Sequence, residues 1–460
     1  MTSFNESVLE SEPLLSSGSE VRRDSGHSPS RDQDARASES SDITKSLVLP
    51  SDEWPHPGQT NILFRIAAAM FSFIVLGMMV STLGVMVPQF ETYYGLSDFQ
   101  VSFIFLVWPI GYLVAAYLNG VIHINFGQRG IATAGPLFHI IFTAIAVLHP
   151  PFPILLIALT VGSLGTGILD GSFCAWAGGM GNANVVQGFL HGSYSAGAAI
   201  GPLIAGTMLS VGNNPWYEWY YVLLGASALE AIVLLLAFRF EDSKRYSDDH
   251  KVDTILVVQE EPAGARFTIF KHGVTWICAV YFLACVGTEN AVSGWIVVFM
   301  TRVNHASAYL ASLSSSGFWI GQAAGRLALG VVTAKVGVRV ATIAYLIAAL
   351  AFEVLFALIH VPEISTVLIA LLGFCLGPLF PSGVVMVTRL LPRELHVGAI
   401  SFAVLIGQVG GALLPFVLGA LAEKLGIQVF QVIVFAQLVM TLLIWLAFPR
   451  LPPMDTPNTQ

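Results

Sequence analysis

Residues 111–129 read GYLVAAYLNGVIHINFGQR, and residues 321–339 read GQAAGRLALGVVTAKVGVR. Gly111, Gly120, Gly127 and Arg129 of the first stretch return as Gly321, Gly330, Gly337 and Arg339 of the second, 210 residues later. A second cluster keeps that offset: Gly188, Gly197 and Gly201 return as Gly398, Gly407 and Gly411. Seven positions in one register make the chain two related halves read in the same direction. In an apolar chain this is the layout of two helix bundles with a ligand site between them.

Composition agrees. The chain is 55 % hydrophobic and only 11 % charged, with a mean hydropathy of +0.72, and a soluble surface on 460 residues would need more charge. The charges gather in the first 60 residues and between 239 and 271. Elsewhere twelve windows reach the ~20 apolar residues that cross a bilayer. They are 62–87, 100–122, 130–149, 153–177, 186–211, 217–238, 273–299, 307–334, 340–360, 364–388, 396–420 and 427–448. The expected fold is an all-α membrane protein of twelve transmembrane helices in two pseudo-symmetric six-helix bundles, 61–240 and 271–450. A charged cytosolic linker, 241–270, joins them. A polar, Ser-rich tail, 1–60, precedes them and a short tail, 451–460, follows; the first tail is expected to be disordered, with no cleavable signal ahead of the first span.

Most of the 21 Lys and Arg fall on one side of the membrane if both termini are cytosolic. Arg302 and Lys424 fall on the opposite side, and Arg326 lies within the eighth span. Cys174, Cys278, Cys285 and Cys375 all lie inside spans and lack disulfide or metal spacing, so no metal or cofactor is expected. The absence of a G-x-x-x-x-G-K-[ST] loop argues against ATP-driven transport, and nothing suggests a nucleic-acid partner. Glu10 with Leu14 and Leu15 fits an acidic dileucine pattern, which resembles adaptor-recognised sorting signals for endosomes, lysosomes or vacuoles. Two leucines in a disordered tail are the plain alternative, so a vacuolar or endosomal address and the plasma membrane both stand.

These residues resemble a major facilitator superfamily transporter over essentially all of 61–450. In that family the loop after the second span typically reads G-x-x-x-D-R-x-G-R-[RK]. The glycines and the last arginine match in both halves, whereas Ile124 and Ala334 stand where the aspartate would be. Gly188, Gly197, Gly201, Pro202 and Gly206 in the fifth span resemble the antiporter motif of twelve-span drug–proton exporters. Small residues there let neighbouring helices approach closely. Asp170…Trp176, Gly188-Phe189-Leu190-His191, Gly287-Thr288-Glu289…Trp295, Gly325-Arg326 and Gly377-Pro378…Pro381 resemble the fucose-permease-like branch, especially its fungal members. That branch includes sugar–proton symporters and fungal carriers of unassigned substrate. The first resemblance implies export and the second uptake.

Ionisable side chains inside a bilayer cost ~2.5–3.5 kcal/mol on insertion scales, so each needs a reason. Glu289 sits near the middle of the seventh span with no basic residue expected at its depth. A carboxyl there can cycle between protonated and ionised forms, which a proton-coupled carrier requires. Asp170 in the fourth span and His191 in the fifth share a depth. They read either as a coupled protonation pair or as a hydrogen-bonded pair that holds two helices. Arg326 is expected to snorkel to the interface, with a pairing to Asp170 across the halves when the cytosolic side is closed as the sharper alternative. Trp295, Asn290 and Trp176 are candidate substrate contacts. Glu230, Glu353 and His139 are expected to satisfy packing hydrogen bonds.

The function these features imply is secondary active transport of a small organic molecule, coupled to protons, by alternating access. Export of a secondary metabolite is slightly favoured over uptake or organellar transfer of a sugar or other polar solute. A non-transporting membrane sensor and an intramembrane hydrolase are minor readings, because no nucleophile motif accompanies Asp170, His191 and Ser193.

Overall fold

The computed structural model describes residues 61–180, 183–212, 214–244, 269–392 and 395–449. The tail with Glu10, Leu14 and Leu15, and most of the 241–270 linker, lie outside those residues. Among the described residues all regular structure is helical. We number the membrane crossings α1 to α12.

α1 runs over Ile62–Ser81 and resumes as Leu83–Tyr94 after a break at Thr82; Asn61 caps it by accepting from the Leu63 N–H. A capping box of Ser97 and Gln100 starts α2, 98–126. The helical run to Val147 is about 75 Å at 1.5 Å per residue, too long for one crossing. Gly127, at φ 68°, divides it and starts α3, 128–147. Then come α4 (Phe152–Gly178), α5 (Ala183–Ser210) and α6 (Glu218–Phe238). After a short 3-10 turn, Ile269–Lys271, the second half follows as α7 (Gly273–Arg302), α8 (Ala308–Val336) and α9 (Val338–Leu358). It ends with α10 (Pro362–Leu390), α11 (His396–Leu425) and α12 (Val429–Ala447). All twelve expected spans are present within a few residues. Most are apolar enough to cross a membrane on length and composition alone; α5 and α8 are not. Those two carry polar residues toward the interior.

The 210-residue register is a register of contacts. A methyl group on Gly111 would lie 2.5 Å from the Thr160 carbonyl oxygen, and one on Gly321 would lie 1.9 Å from that of Ala370, the equivalent residue. Gly167 faces Tyr112 and Ala115, and Gly377 faces Gln322 and Gly325 at the same offset. α5 packs on α1 through Gly197 against Ile74, just as α11 packs on α7 through Gly407 against Phe282. Gly120, Gly188 and Gly330 depart from the expectation of close packing, having nothing within 4 Å of where a side chain would begin.

The loop glycines have a different duty. Gly127 and Gly337 both adopt positive φ, 68° and 92°, a region costly for any other residue. Each loop then grips the end of the last helix in its own half. The Arg129 N–H donates to Glu241 O at 2.8 Å, and Arg65 pairs with the Glu241 carboxylate at 2.8 Å. Arg339 donates to the carbonyls of Leu446 in the last turn of α12 and of Phe448 and Pro449 beyond it. The first loop makes its hold with a backbone N–H and the second with a guanidinium, and neither uses the positions of Ile124 and Ala334.

Glu230 and His139 meet the packing expectation. Glu230 accepts from Ser72 at 2.6 Å and faces His139 Nδ1 at 2.8 Å, and both are fully buried. Glu353 does not. It is equally buried on α9, yet neither carboxyl oxygen has a hydrogen-bond partner among the described residues.

Candidate functional site

One end of the molecule is shut where the halves meet. Arg302, at the end of α7, pairs with Asp98 at 2.7 Å and with Glu91, on α2 and α1 respectively. The Phe99 N–H at the start of α2 faces Glu423 of α11 at 3.4 Å. Gly84 lies directly under the Ser293 carbonyl, Gly294 lies against the Phe105 ring, and Gly419 lies against Ser102 and Trp295. Toward the other end, the surroundings of Gly120, Gly188 and Gly330 are open.

Between these ends, polar side chains come in pairs one helical turn apart. Asp170 and Cys174 stand on α4, His191 and Ser195 on α5, and Gln322 and Arg326 on α8. Four-residue spacing puts both members of a pair on one helix face. Cys174 Sγ donates to Asp170 Oδ1 at 3.5 Å and stands 3.9 Å from His191 Nε2. Ser195 donates back to the His191 carbonyl and accepts from Arg326 Nη1 at 2.8 Å, across the two halves. The other guanidinium nitrogen, Nη2, stands 3.8 Å from Glu289 Oε1 on α7. The result is a row, Asp170–Cys174–His191–Ser195–Arg326–Glu289, that crosses the boundary between the halves.

The row borders an opening. His191 is exposed although it lies well inside the sequence of α5, and Asp170, Asn290 and Arg326 are half-buried. Phe73 meets the His191 ring edge-on at 6.0 Å and fixes its tilt. Tyr112 and Tyr194 lie near Asp170, and Tyr194 also lies near Glu289. Gln322 lies beside Glu289, but neither end of its amide makes a hydrogen bond of normal geometry, and the residue is fully buried.

Two expectations about charge are corrected. Glu289 has a basic neighbour at its depth, because Arg326 reaches inward toward it rather than snorkelling to the interface. In this arrangement, open on the side away from the shut end, Arg326 meets Glu289 and Ser195. Asp170 and His191 come together, with the Cys174 thiol between them. The aromatic candidates lie elsewhere. Trp295 is fully buried at the shut end, its indole N–H bonded to Pro415 O at 2.9 Å. Trp176 packs against Phe238 and Phe173. Asn290 donates to Val286 O beside Gly411. Pro202 lies within α5, where Gly201 meets α1 and Gly206 meets Ser312 of α8.

Sequence reading missed Cys174, Ser195, Gln322, Tyr112 and Tyr194. The polar pairs at four-residue spacing on otherwise apolar spans were the available signal. Arg302 had a signal too, as one of two basic residues on the side that should have none.

Comparison with known proteins places this architecture. The sequence model described as Major Facilitator Superfamily matches residues 69–304 and 277–460. The chain is 27 % identical over 415 residues to Bypass of stop codon protein 6 of Saccharomyces cerevisiae, covering 85 % of this chain and 83 % of that one. It is 26 % identical over 264 residues to an uncharacterised MFS-type transporter of Yersinia pestis, covering 56 % and 62 %. Its fold is similar to the crystal structure of a D-xylose–proton symporter, with a TM-score of 0.68 at 14 % identity over 85 % of this chain and 98 % of the other. It is also similar to the nucleoside transporter NupG, with a TM-score of 0.67 at 12 % identity over 84 % and 100 %.

Proposed function

The chain belongs to the Major Facilitator Superfamily, and we propose that it moves a small polar organic solute in step with protons. As a member it is a membrane transporter and not an enzyme. Its two halves, 61–240 and 271–450, rock about the polar row, so that the opening meets one side of the membrane at a time. The observation that carries the reading is the position of Arg326. Its guanidinium bonds Ser195 of the first half and faces Glu289 of the second at a distance too long for a hydrogen bond.

Ionised Glu289 draws the guanidinium toward α7, and protonated Glu289 leaves it free to hold Ser195. One proton thereby weights the tie between the halves, while Asp170 and His191 supply a second place for a proton beside the same opening. A lining of carboxyls, imidazole, guanidinium and tyrosines favours a polar solute over an amphipathic metabolite. Export of a metabolite is the second reading. It is supported by the small-residue face of α5, which packs on both α1 and α8 as an exporter-like helix would. With both termini cytosolic, the shut end faces away from the cytosol. The Glu10, Leu14 and Leu15 segment would direct the protein to a vacuolar or endosomal membrane through a sorting adaptor; a tagged protein that keeps its location when Leu14 and Leu15 are replaced would oppose this.

The test is reconstitution in proteoliposomes with an imposed pH gradient and a panel of sugars, nucleosides, organic acids and amphipathic metabolites. Accumulation of a polar solute that collapses with the gradient supports the proposal. Accumulation that ignores the gradient overturns the coupling.

A further inference from the structure

Away from the opening, four helices meet at a sealed polar cluster. Ser72 of α1 donates to Glu230 Oε1 of α6 at 2.6 Å, and Glu230 Oε2 stands 2.8 Å from His139 Nδ1 of α3. His139 Nε2 stands 3.1 Å from Thr166 Oγ1 of α4. All four residues are fully buried. Hydrogen-bond accounting fixes the protons. The Thr166 hydroxyl already donates to Gly162 O, so His139 Nε2 carries hydrogen and donates to Thr166. The Ser72 hydrogen is spent on Oε1. One proton therefore occupies the Nδ1–Oε2 line, and the Glu230–His139 pair has no net charge whichever partner holds it. A buried pair of this kind leaves no charge uncompensated. The second half has nothing comparable at the same offset, where Phe282, Ala349, Leu376 and Met440 stand.

Both ends of the cluster point at the transport site. Thr166 lies one turn before Asp170 on α4. Ser72 adjoins Phe73, whose ring meets His191 edge-on at 6.0 Å. We infer that Glu230 and His139 are positioning residues: through Thr166 and through Ser72–Phe73 they set the spacing of Asp170, Cys174 and His191. This rests on the proposed role of Asp170 and His191, and it adds two residues that touch neither solute nor solvent. The groups facing the Asp170–His191 pair are Cys174 on α4, Tyr112 on α2, Tyr194 on α5, Arg326 on α8 and, beyond it, Glu289 on α7.

Cys174 makes the inference testable without a substrate, because it is half-buried between Asp170 and His191 whereas Cys278, Cys285 and Cys375 are buried. The experiment follows alkylation of Cys174 by N-ethylmaleimide in the membrane-embedded full chain across pH, read by mass spectrometry. Glu230→Gln keeps the cluster satisfied, since the amide donates to His139 Nδ1 and its oxygen still accepts from Ser72. It is expected to superimpose on wild type. Glu230→Ala and His139→Ala break the cluster, and each is expected to change the Cys174 rate by about threefold or more, as for coupled neighbours. They are also expected to change the shape of that rate's dependence on pH. If Glu230→Ala does not fold, Ser72→Ala removes one arm only and is expected to depart in the same direction by about half as much. A Glu230→Ala or Ser72→Ala profile that superimposes on wild type overturns the inference. So does Glu230→Gln departing as far as Glu230→Ala, since the shared proton, rather than the bonded geometry that the amide keeps, would then set the effect. The readout needs no gradient and no solute, so its failure is distinct from failure of proton coupling.

Discussion

Arg302 Nη1 lies 2.7 Å from Asp98 Oδ1 and so joins the end of α7 to the start of α2, residues 204 apart in sequence. With Glu91 on the second face of the same guanidinium, it is the charged fastening of the shut end. The arginine side chain is 41 % exposed, so solvent screens much of the attraction. Arg302→Ala is expected to weaken closure by about 0.5–1 kcal/mol, roughly a two- to fivefold shift in population. A cysteine placed at Ser293, against Gly84, reads this shift as faster labelling by a membrane-impermeant maleimide. Unchanged labelling would show that backbone packing alone holds that end shut.

Glu289→Gln keeps the shape of the side chain but removes the ionisable group. Solute exchange across proteoliposomes is expected to persist while accumulation driven by a pH gradient is lost. Comparing the two fluxes on one preparation separates uncoupling from a loss of binding.

Ser195→Ala removes the acceptor for Arg326 across the halves. Hydrogen bonds to charged groups contribute about 1.5–3 kcal/mol, and the partial exposure of Arg326 places this one at the low end. A change of about tenfold in the rate of interconversion is expected. It is measurable as solute exchange, with little change in thermal stability in detergent.

The two loop glycines separate strain from crowding. Gly337→Ala meets only the cost of positive φ, about 1–2 kcal/mol. Gly127→Ala bears that cost, and its new methyl would also lie 2.4 Å from Asp242. Thermal unfolding in detergent is expected to show Gly127→Ala clearly below Gly337→Ala. Equal melting points would mean that the 241–242 segment yields easily.

The buried carboxyls of α6 and α9 make a matched pair. Glu353→Met replaces a group with no partner and is expected to be neutral or stabilising by about 1–3 kcal/mol. Glu230→Met strands His139 and Ser72 and is expected to cost about 3–5 kcal/mol. The melting temperature is expected to fall for Glu230→Met and to hold or rise for Glu353→Met.

The spans and the repeat were legible because bilayer crossing imposes a length and an apolarity on each helix, and because a glycine at a helix contact cannot be replaced without moving a backbone. Gly111 with Thr160 and Gly321 with Ala370 show the second rule at work. Asp170, His191 and Glu289, which the structure gathers into the candidate row, were legible from the cost of burying them. Their partners were not, because depth along a helix does not give the direction a long side chain takes. Arg326 sits where snorkelling was expected and turns inward instead. Trp295, next in prominence to Glu289 along α7, points a different way around the same helix and fills the shut end.

Gly84 has a consequence for inheritance. A methyl group there would lie 2.1 Å from the Ser293 carbonyl oxygen, at the surface where the halves close. In the proposed rocking of the halves, parting them at this end would carry Gly84 away from that carbonyl. Alanine at this position would therefore act as a doorstop, giving a protein that folds, travels to its membrane and stands permanently ajar. A one-carbon allele of this kind would pass every assay of abundance and fail only an assay of turnover.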